Sequence, residues 1–223
     1  MDMSNQELAD YHLATQTYEI AEMSNRSEPF ENVIAGIHIR VLPHVYPGGI
    51  DSELMCGVLD VSANDRILDL CTGTGIIALK AAQMGAKDVI GVDLNPQAIK
   101  NAELNKQGLG LNNITFLEGS LFEPVRNQKF DLITINPPYT DKKPANKTEI
   151  CFWDENNQTT RDFFSEFQNH LNPGGKAYIG WADFSSLELI KSLAHEHNLS
   201  LKKVASKATQ SGKATFLVYK LVP

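Results

Sequence analysis

Residues 4–24 carry Leu8, Tyr11, His12, Thr15, Tyr18 and Met23 at the spacing of one helical face, with acidic residues elsewhere. Ser27-Glu28-Pro29 ends that run, and Val33 to Val41 predicts two short strands hinged at Gly36. Pro43 to Gly49 is a loop with Pro-Gly-Gly as its turn signal, either plain packing or one wall of a ligand cleft. A helix follows, with Asp51 or Ser52 as N-cap and Leu54, Met55, Val58 and Leu59 on its apolar side. From Arg66 the pattern becomes regular. Strands are predicted at 67–71, 89–93, 114–117, 130–135 and 176–180, and helices at 75–84, 96–107, 160–171 and 186–197. Runs at 199–205 and 215–221, joined by a polar turn containing glycine, predict two closing strands.

Strand–helix alternation implies an α/β fold, a mostly parallel sheet with helices on both faces. The last two strands are too close for a helical crossover and should run antiparallel to each other. The chain divides into a short N-terminal extension over 1–45, a helix and short strands covering the cleft, and one domain over 46–223. With 223 residues, 42% of them hydrophobic, one sizeable core is expected. A formal charge of −7 argues against a large phosphate-binding face. Cys56, Cys71 and Cys151 are odd in number and widely spaced, which suits a reducing cytosol better than a disulfide framework or a zinc site. The acidic, polar N-terminus is no secretory signal, and no apolar run is long enough to span a bilayer, so a cytoplasmic protein is expected. His195 and His197 lie two apart and do not share a helix face; no metal site is expected.

Asp69-Leu70-Cys71-Thr72-Gly73-Thr74-Gly75 links a predicted strand to its helix. Glycines there let a backbone approach a ligand closely, and a helix N-terminus adds donors. Asp93 ends the next strand, 18 residues beyond Gly75, near the place where a ribose is bound in dinucleotide folds. Two cofactors compete for this loop. A carboxylate at Asp69 would repel a pyrophosphate but pair with an ammonium group. S-adenosylmethionine (SAM) has an α-ammonium, a sulfonium and a ribose but no phosphate, so Asp69 with Asp93 favours SAM over NAD.

The run Phe130 to Ile135 stops at Asn136-Pro137-Pro138-Tyr139. Two prolines cannot continue a central ladder, and they fix the backbone around Asn136. The Asn136 oxygen and the Pro137 carbonyl are two uncharged acceptors suited to both hydrogens of a planar –NH2, with Tyr139 as an aromatic face. An ordinary strand-ending turn is the plainer reading of Asn-Pro taken alone.

On these motifs the chain resembles a class I SAM-dependent methyltransferase over about residues 43–223. Asp69 to Gly75 matches the first motif of that family and Val92 to Asn95 the second, while Glu118 to Leu121 lies where the third lines the adenine. Asn136-Pro137-Pro138-Tyr139 resembles the motif of the N-methylating branch, which includes HemK-like glutamine methyltransferases and adenine-N6 methyltransferases. The resemblance implies a Rossmann-like seven-stranded sheet and SAM as cofactor. It implies cofactor contacts from Asp69, Cys71, Thr72, Gly73, Gly75, Asp93, Leu94, Ser120, Leu121 and Asn136, and a catalytic group of Asn136, Pro137 and Tyr139. Three departures stand out: Cys71 replaces a loop glycine, Ser120 replaces an Asp that commonly meets the adenine, and the helical N-terminal domain and the Glu-Pro/Gly-Gly stretch usual in HemK-like proteins give way to a short N-terminal extension and to Thr140-Asp141-Lys142-Lys143-Pro144 through Asp154. The segment 140–160 is expected to form a substrate loop, with Pro138, Phe152 and Trp153 facing the acceptor or, for the two aromatics, anchoring the loop. Lys142, Lys143 and Lys147 either meet a phosphate or form a solvated loop.

The expected activity is transfer of a methyl group to an amide or exocyclic amine nitrogen, in a protein glutamine or a nucleobase. The acceptor is unresolved among protein, nucleic acid and small molecule. The alternatives are a biosynthetic small-molecule methyltransferase, a non-catalytic SAM-binding protein and an NAD-dependent oxidoreductase.

Overall fold

The computed structural model describes residues 5–222; Ser4, where the first helix was expected to begin, lies outside them. Helix α1 (Asn5–Asn25) precedes a hairpin of β1 (Phe30–Ile34) and β2 (Ile37–Val41), and then α2 (Ile50–Val58). The alternating region runs β3 (Arg66–Leu70), α3 (Ile76–Gln83), β4 (Asp88–Asp93), α4 (Pro96–Leu109), β5 (Ile114–Glu118) and β6 (Phe130–Ile135). It continues through α5 (Gln158–Glu166), β7 (Leu171–Ala182), α6 (Leu187–Glu196), β8 (Ser200–Ala208) and β9 (Thr215–Val222).

Seven strands form one sheet in the order β5-β4-β3-β6-β7-β9-β8. Only β9 runs against its neighbours, inserted between β7 and β8. The expected α/β class, the parallel region and the antiparallel closing pair are all present. Central strands read as near-continuous apolar runs because helices bury both faces. Ile67 and Leu132 join a core under α2 and α3, whereas Leu68 and Ile133 join one under α5 and α6 with Phe163, Phe164 and Trp181.

Strand order reverses at β3, whose neighbours are β4 on one side and β6 on the other. Ligands of open α/β sheets bind in the crevice at such a switch point, outside the carboxyl ends of the strands. The Asp69–Gly75 loop leaves β3 and the Asn136–Tyr139 turn leaves β6, so topology brings both motifs to one crevice. Local chemistry fixes α4 there: the Asn95 side chain accepts from Gln97 N, Pro96 fills the first turn, and Gly110 ends the helix at φ 65°.

Three expectations change. Asp51 and Ser52 do not cap α2; Gly49 stands at that place, no side chain caps the helix, and Asp51 lies within it. The helix expected over 160–171 is α5 followed by a 3₁₀ turn, Phe167–His170. Asn172-Pro173-Gly174-Gly175 belongs to β7, in a stretch where the β6–β7 register shifts.

Candidate active site

Two cavities meet at Asn136. The first, of 340 Å³, is lined by Cys71, Thr72 and Gly73 from the β3 loop, Asp93 and Leu94 after β4, Ser120 and Leu121 after β5, and Pro138. The second, of 540 Å³, lies against Pro137 and Tyr139 and is roofed by α1. Asn136, Tyr46, Gly48 and Cys151 border both.

In the first cavity Asp93 is the organising group. Its Oδ2 accepts from Gly73 N and its Oδ1 from Asn95 N, both at 2.8 Å, which holds the glycine loop against the end of β4. Burial pushes its carboxyl above the ordinary range, and the hydrogen bonds from Asn95 and Gly73 oppose that. Gly73 takes φ 56°, a backbone that side-chain-bearing residues rarely adopt. Cys71 adopts φ 57° with a β-carbon, and Leu121 takes φ 43°, so strained backbone gathers around this cavity. Leu94 offers a 59% exposed apolar wall.

The cavity lining contains Asp93, Asp154 and Asp162 and no lysine or arginine. Such a surface suits a ribose and a cation, not a pyrophosphate. It therefore fits SAM.

Asp69 corrects the expected direct pairing with an ammonium group. Its carboxylate is fully buried and does not line the cavity. Oδ2 accepts from Thr72 Oγ1 at 2.7 Å, and Oδ1 from Thr134 Oγ1 at 2.8 Å. Burial raises its pKa to about 6 against those hydrogen bonds. Asp69 thus braces the loop from behind. Gly75 also lies off the cavity: at φ 84° it starts α3, and a Cβ would sit 2.9 Å from Ala102 and from Phe116.

On the acceptor side, Asn136 Nδ2 donates to Asp51 Oδ2 at 2.7 Å. That fixes Oδ1 on the opposite side of the amide, where it receives the Tyr139 hydroxyl. Tyr46 also donates to Asp51, at 3.2 Å. Burial, then the Asp51 charge, pushes the Tyr46 and Tyr139 phenols well above the ordinary range, so both stay protonated donors. Gly180 of β7 lies so close to Asn136 Oδ1 that no β-carbon fits. Sequence patterns pointed to neither Asp51 as a site residue nor Gly180. The only signal for Asp51 was the Pro-Gly-Gly loop just before it.

Phe152 and Trp153 do not stand free to stack on an acceptor. Both are buried with Ile20 and Met23 of α1, and Trp153 Nε1 donates to Gln16 Oε1 at 3.1 Å. Lys142 lies 3.5 Å over the Trp153 ring and Lys143 pairs with Glu155 at 3.6 Å, so two of the three loop lysines are engaged within the loop.

A family model described as a methyltransferase domain matches residues 61–220. The chain belongs to that family. This methyltransferase domain is 37% identical over 152 residues to a Methanocaldococcus jannaschii protein provisionally named a protein N5-glutamine methyltransferase, covering 66% of this chain and 76% of that one. It is 46% identical over 85 residues to the release factor glutamine methyltransferase of Aliivibrio fischeri, 37% of this chain but 30% of that protein's length. Solved structures share the fold. The ribosomal protein L11 methylase of Lactobacillus delbrueckii subsp. bulgaricus superposes with TM-score 0.62 at 21% identity, over 81% of this chain and 82% of that one. A T. thermophilus 16S rRNA N2 G1207 methyltransferase solved with AdoMet and guanosine gives 0.63 at 21%, over 86% and 50%. The domain is a SAM-dependent methyltransferase. Among the described residues no helix is long and apolar enough to cross a membrane, and no acidic, His or Cys cluster could hold a metal.

Proposed function

We propose that this methyltransferase domain methylates the side-chain amide nitrogen of glutamine in a protein. The observation that carries the reading is the placement of Asn136 between the two cavities, its amide turned by Asp51 so that Oδ1 is available as an acceptor. When bound, SAM supplies an electrophilic methyl. An amide nitrogen is a poor nucleophile because its lone pair is delocalised, so the protein's part is orientation and charge stabilisation. Oδ1 of Asn136 keeps a second lone pair beside the Tyr139 hydroxyl, and the Pro137 carbonyl lies beyond the last paired residue of β6, Ile135; together they take the two N–H groups. Both acceptors strengthen their hold as positive charge grows on nitrogen. The nitrogen that gains the methyl sheds one proton, and the Asp51 carboxyl group, which lines the same cavity and is bonded directly to Asn136 Nδ2, is a nearby acceptor for it.

The named activity of the Methanocaldococcus jannaschii relative supports the amide over a nucleobase. So does the acceptor cavity, where Asp51, Glu19 and Glu22 would repel nucleic-acid phosphates. The α1 roof favours a second reading, a small acceptor molecule enclosed beneath it.

Labelled SAM, incubated with the protein and with release factors, glutamine peptides, RNA and metabolite fractions, tests the choice. Label at a glutamine side chain, located by mass spectrometry and abolished in Asn136→Ala, is the expected result. Label confined to RNA or metabolites overturns it.

A further inference from the structure

Holding the two hydrogens of an acceptor amide leaves its carbonyl oxygen unserved. A buried carbonyl without a donor is costly, so a complete amide site needs an N–H or O–H pointing into the acceptor cavity. Gln16 on α1 meets that need.

Gln16 is buried and lines the acceptor cavity together with Asn136, Pro137 and Tyr139. Its Oε1 accepts from Thr140 Oγ1 at 2.9 Å and from Trp153 Nε1 at 3.1 Å. An indole N–H is only ever a donor, so the orientation of the Gln16 amide is fixed by chemistry: the oxygen faces the loop and the –NH2 faces away from it. That –NH2 has no hydrogen-bond partner among the described residues, and it is not sealed in the interior as Thr160 Oγ1 and Trp181 Nε1 are. Thr140 directly follows the Asn136–Tyr139 turn in sequence, so the group that orients Gln16 is three residues from Pro137 and four from Asn136, the groups that receive the acceptor nitrogen.

We infer that Gln16 is a substrate-binding residue whose –NH2 donates to the carbonyl oxygen of the acceptor amide. This rests on the amide-methylating function proposed above. The site then presents two acceptors, Asn136 Oδ1 and the Pro137 carbonyl, and one donor, a pattern complementary to a primary amide. A carboxylate in the same place has no N–H for the two acceptors. Selection of glutamine over glutamate follows, because a site built to hydrogen-bond a group rejects the analogue that lacks it.

Gln16→Glu isolates this role. Glutamate keeps an oxygen for Thr140 and Trp153, so the loop stays tied, but it replaces the donor by an acceptor. With the glutamine substrate found above, Gln16→Glu is expected to raise the acceptor KM about 10- to 100-fold, the equilibrium value of one buried hydrogen bond. SAM affinity should match the wild type, while the carboxylate buried beside Glu19 and Asp51 should lower the melting temperature somewhat. Gln16→Leu removes both functions and should lower the melting temperature as well. An unchanged acceptor KM in Gln16→Glu, with glutamine methylation intact, overturns the assignment of Gln16 alone. Absence of any glutamine methylation by the wild type overturns the proposed function and this inference with it.

Discussion

Asp51 accepts the Nδ2–H of Asn136 at 2.7 Å, across 85 residues of sequence, and thereby fixes which end of the Asn136 amide is the nitrogen and which the oxygen. Asp51 is 4% exposed and also receives the Tyr46 hydroxyl, with the Tyr139 oxygen 3.4 Å away. An amide can rotate by 180° with little change in shape, so the oxygen's position depends on this partner. In Asp51→Asn the partner offers a donor as well as an acceptor, and both Asn136 orientations become accessible. The methyl-transfer rate should fall about 10²-fold, as for other small misplacements of a positioning group. SAM affinity by calorimetry should stay unchanged.

Gly180→Ala tests the same geometry from beneath. The new β-carbon would overlap Asn136 Oδ1, and the strand backbone of β7, paired on both sides, cannot move away from it. Asn136 must shift instead. Activity should fall about 10²-fold or more while SAM still raises the melting temperature. Full activity in this variant would mean that Oδ1 has no part in catalysis.

Asp93 anchors the cofactor loop through Gly73 N and Asn95 N. Asp93→Ala removes two charge-assisted hydrogen bonds and the carboxylate that lines the first cavity. Titration calorimetry should show SAM binding weakened about 100-fold or more, from hydrogen bonds of about 1.5–3 kcal/mol each.

Asp69 gives a pH dependence of stability with a defined sign. Its pKa stands near 6 in the folded protein against an ordinary 3.8, so the folded state binds the proton more tightly than the unfolded chain. Its contribution is fully present below pH 3.8 and is lost as pH rises to about 6. Denaturant unfolding of wild type and Asp69→Asn from pH 4 to 7 should show the wild type losing up to about 3 kcal/mol relative to the variant over that window. Parallel curves for the two proteins would show that Asp69 does not titrate there.

Much of the fold was legible in the sequence because strand and helix periodicities differ, and β3 to β6 carry them cleanly. The two motifs were also legible. Each sits where a strand must end, and glycine and proline restrict the backbone in ways that local chemistry alone explains. Boundaries were less so: β7 extends back through Asn172 to Gly175, since pairing with β6 overrides the turn chemistry of Pro-Gly-Gly. Asp69 and Asp93 look alike as acidic residues at the ends of adjacent strands. Only their side-chain directions, set by the pleat and by the hydroxyls of Thr72 and Thr134, send one carboxylate behind the loop and the other toward the cavity. Phe152 and Trp153 became loop anchors because α1 supplies Ile20 and Met23 to bury them. Gly180 and Gln16 carry no local signature, and the Pro-Gly-Gly loop before Asp51 does not mark its carboxyl group as a partner of Asn136. What the sequence by itself determined was that Asn136 closes a buried strand where two prolines fix the backbone; what the tertiary structure decided was which distant side chains aim that residue, because contacts between remote segments leave no periodicity along the chain.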